Sequence, residues 1–178
     1  LGAGNPVIER PGEGEYAPFY AGYIRAVPDG ELLPMLRDQL AGTEALLREL
    51  GESRGGYRYA PGKWSVKEIV SHLADGERVF AYRLLRIARG DRTHLPGFEQ
   101  DDYVAASGAD ARSLAELAAE LRSVRAATIT LLSGLPDDAF ARRGVANGKE
   151  ISVRALAWII AGHERHHQRI LQERYLGG

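Results

Sequence analysis

The sequence predicts an all-α fold, an up-down four-helix bundle with long connecting loops. Three observations point to it. Apolar residues recur at helical spacing through four long segments, Gly and Pro cluster between those segments, and no stretch alternates apolar and polar residues long enough to suggest a sheet.

The first predicted helix runs from about Glu31 to Leu50. Leu32, Leu36, Leu40, Leu47 and Leu50 mark its apolar side, and Pro34 falls in the first turn, where a missing N–H is tolerated. The stretch GESRGGYRYAPGK then breaks it. The second helix opens at SVKE, where Ser65 and Glu68 have the spacing of a capping box, and continues through Ile69, His72, Phe80, Leu84 and Ile87 to Arg89 and Gly90. A loop rich in Gly, Pro and Asp leads to a second capping box at Ser113 and Glu116, which starts a third helix ending near Ser133 and Gly134. After GLPDDAFARRGVANGKEI, Ser152 is the expected N-cap of a fourth helix that ends near Tyr175, before Gly177 and Gly178. Connections of roughly 15 to 22 residues exceed the short loops of simple bundles. They are expected to hold short helices and to wall a site at one end. Residues 1–178 read as one domain, with 1–25 partly mobile.

Composition narrows the function. With 23 basic and 24 acidic residues the net charge is −1, so the broad positive field of a nucleic-acid or anionic-membrane binder is missing. The expected partner is a small-molecule substrate. Cysteine is absent, which excludes disulfides, thiolate metal ligands and a sulfur nucleophile carried by the chain, and fits a reducing cytoplasm. Any metal must sit on nitrogen and oxygen. No apolar run approaches the roughly 18 residues of a membrane span, and LGAGNPVIERPGEGEY lacks a basic region followed by an apolar one. A cytoplasmic, unexported protein is expected.

The stretch GHERHHQ fits two metal chemistries. As H-E-x-x-H it matches the zinc-protease signature, in which two histidines hold zinc and the glutamate activates water. As a plain His-x-x-x-His pair it needs a third ligand from elsewhere. Proteases of this type take that ligand from downstream, and only eleven residues follow His167. They also place a sheet edge beside the active helix, and no sheet is predicted. Helical spacing favours the pair: Val153, Leu156, Ile160, His163, His167, Ile170 and Arg174 follow steps of three and four, so both histidines stand on the core-facing stripe. Residues four apart have Cβ atoms about 6 Å apart, close enough for two imidazoles to reach one ion. On the second helix Ile69, His72, Gly76, Val79, Arg83 and Ile87 form a comparable stripe, so His72 also points inward. One buried histidine is usually a hydrogen-bonded core residue. Three without a metal would each need another partner.

The segments GKWSVKEIVSHLADGERVFAYRLLRIARGD (Gly62 to Asp91), LPGFEQDDY and SVRALAWIIAGHERHHQRIL (Ser152 to Leu171) together resemble the DinB/YfiT-like family of metal-dependent enzymes. That resemblance covers most of the chain. It implies a four-helix bundle holding a divalent ion, usually nickel or zinc, on three histidines, which would be His72, His163 and His167. It also implies a homodimer. Family members with assigned chemistry include S-transferase-like enzymes using bacillithiol or glutathione and a mycothiol-dependent maleylpyruvate isomerase.

Three readings follow. In the first, the ion activates a low-molecular-weight thiol for attack on a small electrophile, an S-transferase-like reaction, with Arg83 meeting the anionic cofactor. In the second, water activated on the ion hydrolyses a substrate, with Glu164 or Asp75 as base or as a partner of a ligand imidazole. In the third, the chain is a non-catalytic metal- or ligand-binding stress protein. Plain solvated carboxylates are the bland alternative for Glu164 and Asp75, and a surface or paired role is the alternative for Arg83. His166 stands at the flank of the stripe as a spare ligand or acid-base group.

Overall fold

A computed structural model describes residues 6–177. In chain order the helices are α1 (Ala21–Ala26), α2 (Leu32–Leu50), α3 (Val66–Ala88), α4 (Gln100–Ala106), α5 (Leu114–Ser133) and α6 (Val153–Ile170). Short 3₁₀ turns punctuate the connections, and a hairpin of β1 (Arg143–Ala146) and β2 (Lys149–Ser152) precedes α6. The four long helices are those expected from the sequence, and α3, α5 and α6 start at the expected caps. Ser65 and Glu68 exchange hydrogen bonds at the start of α3, Ser113 and Glu116 do so at α5, and the Ser152 hydroxyl accepts from the Ala155 N–H at α6.

The helices form a bundle in which α3 packs on α5 and α6, and α2 packs on the same two. Chain neighbours α2 and α3 therefore lie across a diagonal. Directions do not simply alternate. The Tyr175 hydroxyl beyond α6 donates to the Trp64 carbonyl before α3 (2.6 Å), so α3 and α6 run antiparallel. By contrast Ser65 donates to Asp110 near the starts of α3 and α5 (2.6 Å), and Arg78 meets Glu120 further along (2.6 Å), so these two run parallel. Likewise α2 and α6 are parallel: Gln39 Nε2 donates to Ala161 O (2.9 Å), and Gln168 Nε2 to Thr43 Oγ1 (2.6 Å). The up-down expectation is refined to an order of down, up, up, down. This is the reason for the long stretch between α3 and α5, which must carry the chain back along a helix about 34 Å in length at 1.5 Å per residue.

The interior is layered. One apolar cluster surrounds Leu36, Leu84, Leu132 and Leu156, and a second surrounds Leu50, Leu73, Leu121 and Leu171. Between them each long helix contributes buried polar groups: Gln39 and Thr43, His72 and Glu77, Arg125 and Thr128, and His163, Glu164 and His167. The three histidines expected as metal ligands sit in this middle layer.

Three expectations need correction. Residues 6–25, expected to be partly mobile, pack onto α6. Ile8, Ala17, Tyr20 and Ile24 are buried, Glu15 pairs with Arg154 (2.6 Å), and the Trp158 indole donates to Ile8 O (3.2 Å). Residues 1–5 lie outside the described residues. The expected absence of sheet is broken by the hairpin, whose four-residue strands run from exposed to buried without the alternation that would mark them in the sequence. Its local cue was Asn147-Gly148, which takes up the two positive φ angles (52° and 69°) of a tight hairpin turn. Finally, the α6 stripe continues through the buried Leu171 and Tyr175, while Ile170 is half-buried and Arg174 exposed. The π-helical turn Leu171–Leu176 adds a residue per turn and so rotates the buried face.

Candidate metal centre

Helix α3 presents His72, and α6 presents His163 and His167 one turn apart on the facing side. All three are buried (2%, 5% and 7% exposed). One ring nitrogen from each lies within 4.8 Å of the others, and these are the residues expected as ligands. Nε2 of His72 and Nε2 of His163 approach to 2.9 Å. Gly76 makes room for this meeting, since a Cβ there would lie 3.0 Å from His163 Cε1. Aromatic rings encase the cluster. Trp64 lies 4.7 Å from His72 and stacks 6.2 Å from His167, while Phe80 and Tyr23 meet His163 edge-on at 5.7 and 5.6 Å.

Burial sets the charge state. It lowers the pKa of His72 to about 4, with the neighbouring His166 adding to the effect. It pushes His163 and His167 well below the usual imidazole range, reinforced by the surrounding histidines. All three are therefore neutral near pH 7, as metal ligation requires. A hydrogen bond between His72 and His163 would satisfy two rings without any ion, but the buried Nδ1 of His167 has no partner. A group that accepts lone pairs from several imidazoles at once resolves this, so the donor set fits a divalent ion such as zinc, nickel, copper or iron.

The other expected site residues fall differently. Glu164 does not face the cluster. Its carboxylate accepts from Gln39 Nε2 (2.6 Å), Thr43 Oγ1 (2.6 Å) and Arg125 Nη2 (2.7 Å), which commits both oxygens to a buried ion-pair network. Asp75 is half-buried and pairs with Arg78 (3.3 Å), and burial raises its pKa. Among the described residues neither carboxylate is grouped with the three histidines. Arg83 is buried and borders a cavity of about 340 Å3 that reaches His72 and His163. His166 stays outside the cluster, half-buried, with its ring 5.1 Å from His167.

Arg125 was missed by sequence reasoning, and it organises the middle layer. Its guanidinium contacts Glu77 through Nε (2.9 Å) and Nη2 (2.8 Å), Glu164 through Nη2 and the Leu36 carbonyl through Nη1 (2.7 Å), so groups from α2, α3, α5 and α6 converge. Burial opposes its charge, but Glu164 and Glu77 outweigh burial and raise its pKa. The overlooked signal was position: Leu117, Leu121, Arg125, Thr128 and Leu132 follow steps of three and four, and an arginine on such a stripe requires a buried acid.

A second cavity, about 310 Å3, reaches His167 from the side of Tyr59, Trp64 and Tyr175. A larger one, about 610 Å3, lies between the N-terminal segment and the start of α2, remote from the histidines. No helix among the described residues is long and apolar enough to cross a membrane.

Comparison with known proteins agrees with this arrangement. No curated protein matches the sequence. Among solved structures the chain is similar to YfiT from Bacillus subtilis, described as a probable metal-dependent hydrolase with an unusual four-helix bundle topology. The identity is 19% and the TM-score 0.72, over 93% of this chain and 95% of that one. It is also similar to the mycothiol-dependent maleylpyruvate isomerase (14% identity, TM-score 0.65), spanning 82% of this chain and 61% of the isomerase. A third likeness is a DinB-like protein, YjoA, from Bacillus subtilis (19%, TM-score 0.58), over 83% of this chain and 92% of that one. At these identities the likenesses establish the fold alone. A family model does more, because the DinB superfamily model matches residues 35–171, a stretch that contains all three histidines. The chain belongs to the DinB superfamily.

Proposed function

We propose that this chain is a metal-dependent enzyme that holds a divalent ion, zinc or nickel, on His72, His163 and His167 and uses it to activate a low-molecular-weight thiol toward a small electrophilic substrate. The observation that carries the reading is three buried, neutral imidazoles with one nitrogen each inside 4.8 Å, one of them bearing a buried nitrogen without a partner. An ion on three neutral ligands keeps its full double charge and, when bound, lowers the pKa of a thiol or of water at an open position. The chain's residues supply the setting. Trp64, Phe80 and Tyr23 pack their rings against the imidazoles, and the Glu164–Arg125–Glu77 network holds α6 against the other three helices.

The preference for a thiol rests on acid-base chemistry. Among the described residues no carboxylate is grouped with the three imidazoles, and Glu99 and Asp101 only border the cavities that lead to them, so a nucleophile that loses its proton readily is favoured, and a thiol has an ordinary pKa of about 8.5. The chain holds no cysteine, so the thiol must come from a small molecule. The likeness to a mycothiol-dependent enzyme supports this reading. Hydrolysis is the second reading. His166 favours it, because burial lowers its pKa and keeps it a neutral base beside His167, and YfiT's description supports it.

The test is metal content by plasma mass spectrometry on protein purified without chelators, for the native chain, His72→Ala and His167→Ala. About one ion per chain, lost in both variants, is expected. The cobalt-substituted protein should then change its visible spectrum on addition of a small thiol. Absence of metal, or metal retained in both variants, overturns the ligand assignment. A cobalt spectrum indifferent to every thiol, with ester hydrolysis that His166→Ala abolishes, replaces the first reading by the second.

A further inference from the structure

Two buried arginines in this bundle receive opposite treatment. Arg125, 1% exposed, is met by two carboxylates. Arg83, 3% exposed, has no carboxylate within 4 Å among the described residues. Its Nη2 donates to the Pro96 carbonyl (2.7 Å), its guanidinium stands 5.9 Å from the centre of the Phe98 ring, and the Tyr20 hydroxyl lies beside it. A guanidinium carries a full positive charge on a fixed fork of donors, and a carbonyl, a phenol and a ring do not balance that charge. Burying a charge without a counter-ion is costly.

The missing counter-ion has an obvious route in. Arg83 borders the cavity of about 340 Å3 that reaches His72 and His163, and Tyr20, Phe80 and Phe98 supply its aromatic walls. Glu99 also borders the cavity, but it is exposed and makes no ion pair with Arg83. Among the described residues no second arginine or lysine lines it, so one guanidinium faces one anionic group, a match for a carboxylate rather than a phosphate dianion. Gly76, beneath His163, and Arg83 are seven residues apart on α3, about 10 Å along the axis.

We propose that Arg83 anchors the carboxylate of the electrophilic substrate, a monocarboxylic acid whose apolar or aromatic body fills this cavity and whose reacting atom lies several bonds away, toward His72 and His163. The assignment of the reacting end rests on the metal-enzyme reading above, whereas the anion site stands on Arg83 and the cavity.

The experiment titrates the full chain with 4-phenylbutyrate, its neutral amide and benzyl phosphate by calorimetry. It uses the protein as purified and after chelation, for the native chain, Arg83→Gln, Arg83→Lys and His72→Ala, with circular dichroism as the check on folding. The acid is expected to bind at least tenfold more tightly than the amide. That ratio should fall to about one in Arg83→Gln, remain well above one in Arg83→Lys, and persist after chelation and in His72→Ala. Persistence in protein that takes up no metal would sustain the anion site while removing the metal reading. Equal binding of acid and amide, no binding of either, or an acid preference kept by folded Arg83→Gln would overturn the proposal, as would tighter binding of benzyl phosphate than of the acid. If Arg83→Gln fails to fold, the ratios in the native chain and Arg83→Lys decide.

Discussion

Arg125→Leu takes the positive charge out of a core layer that contains two carboxylates. In the native chain Arg125, Glu77 and Glu164 are all at most 3% exposed, and the guanidinium makes contacts of 2.7–3.2 Å to both acids and to the Leu36 carbonyl. Removing one partner of a buried ion pair costs about 3–5 kcal/mol, because the remaining charge is stranded. Here two charges are stranded, but Glu164 keeps its hydrogen bonds from Gln39 and Thr43, so the expected loss stays at about 3–5 kcal/mol. Against a typical total of about 5–15 kcal/mol, the variant is close to unfolding. Urea denaturation followed by circular dichroism at pH 7.5 and 5.5 measures it. The deficit relative to the native chain should be smaller at pH 5.5, since a protonated carboxyl is cheaper to bury than an unpaired carboxylate. Adding Glu77→Gln and Glu164→Gln to Arg125→Leu should recover part of the loss. A variant within about 1 kcal/mol of the native chain at pH 7.5 would refute the reasoning, because the network would then be worth no more than a surface pair.

Other predictions follow from the same packing. Gly162→Ala places a Cβ 2.2 Å from the Tyr23 carbonyl oxygen; backbone cannot yield there, so α1 must lift from α6 at a cost of about 1–3 kcal/mol or more, visible as a lower urea midpoint, and an unchanged midpoint contradicts the close approach. Glu15 is held down to about 2 by hydrogen bonds from Arg154, against the opposing effect of burial. A depressed carboxyl stabilises the fold above its ordinary pKa and loses that contribution as pH falls toward 2, so Glu15→Gln should cost about 1–2 kcal/mol at pH 7 and less at pH 4; equal melting temperatures of variant and native chain at pH 7 would be the contrary result. The three lowered histidines act with the opposite dependence on charge but the same direction in pH. Above the ordinary value of 6.5 both folded and unfolded chains are neutral there and nothing is contributed; between 6.5 and about 4 the unfolded chain takes up protons that the folded one refuses. Metal-free protein should therefore lose stability on acidification, by up to about 4 kcal/mol per pH unit if all three act fully, and His72→Ala should reduce the slope by about a third. A melting temperature that is flat from pH 7 to 5 would refute their burial as neutral imidazoles.

Much of this molecule is written in short-range signals. Capping boxes at Ser65–Glu68 and Ser113–Glu116 and the cap at Ser152 operate within three residues, so the starts of α3, α5 and α6 are legible without knowing what they pack against. The histidines are legible for a related reason: helical spacing alone puts His163 and His167 on one face and His72 on an apolar stripe, and imidazoles in such positions need a partner. Periodicity shows that a face is buried, but it is silent on which helix buries it and in which direction that helix runs. The parallel pairing of α3 with α5 and of α2 with α6 is therefore a property of the assembled bundle, as is the meeting of four helices at Arg125. Glu164 shows the difference most clearly. One step off the histidine stripe, it reads as a candidate base, but the guanidinium of α5 claims its carboxylate. The same holds for Arg83, a buried arginine that no carboxylate meets within 4 Å among the described residues. Side chains next to one another in sequence share a backbone geometry, whereas the charge that balances each one comes from elsewhere in the chain, and only the folded packing brings the two together.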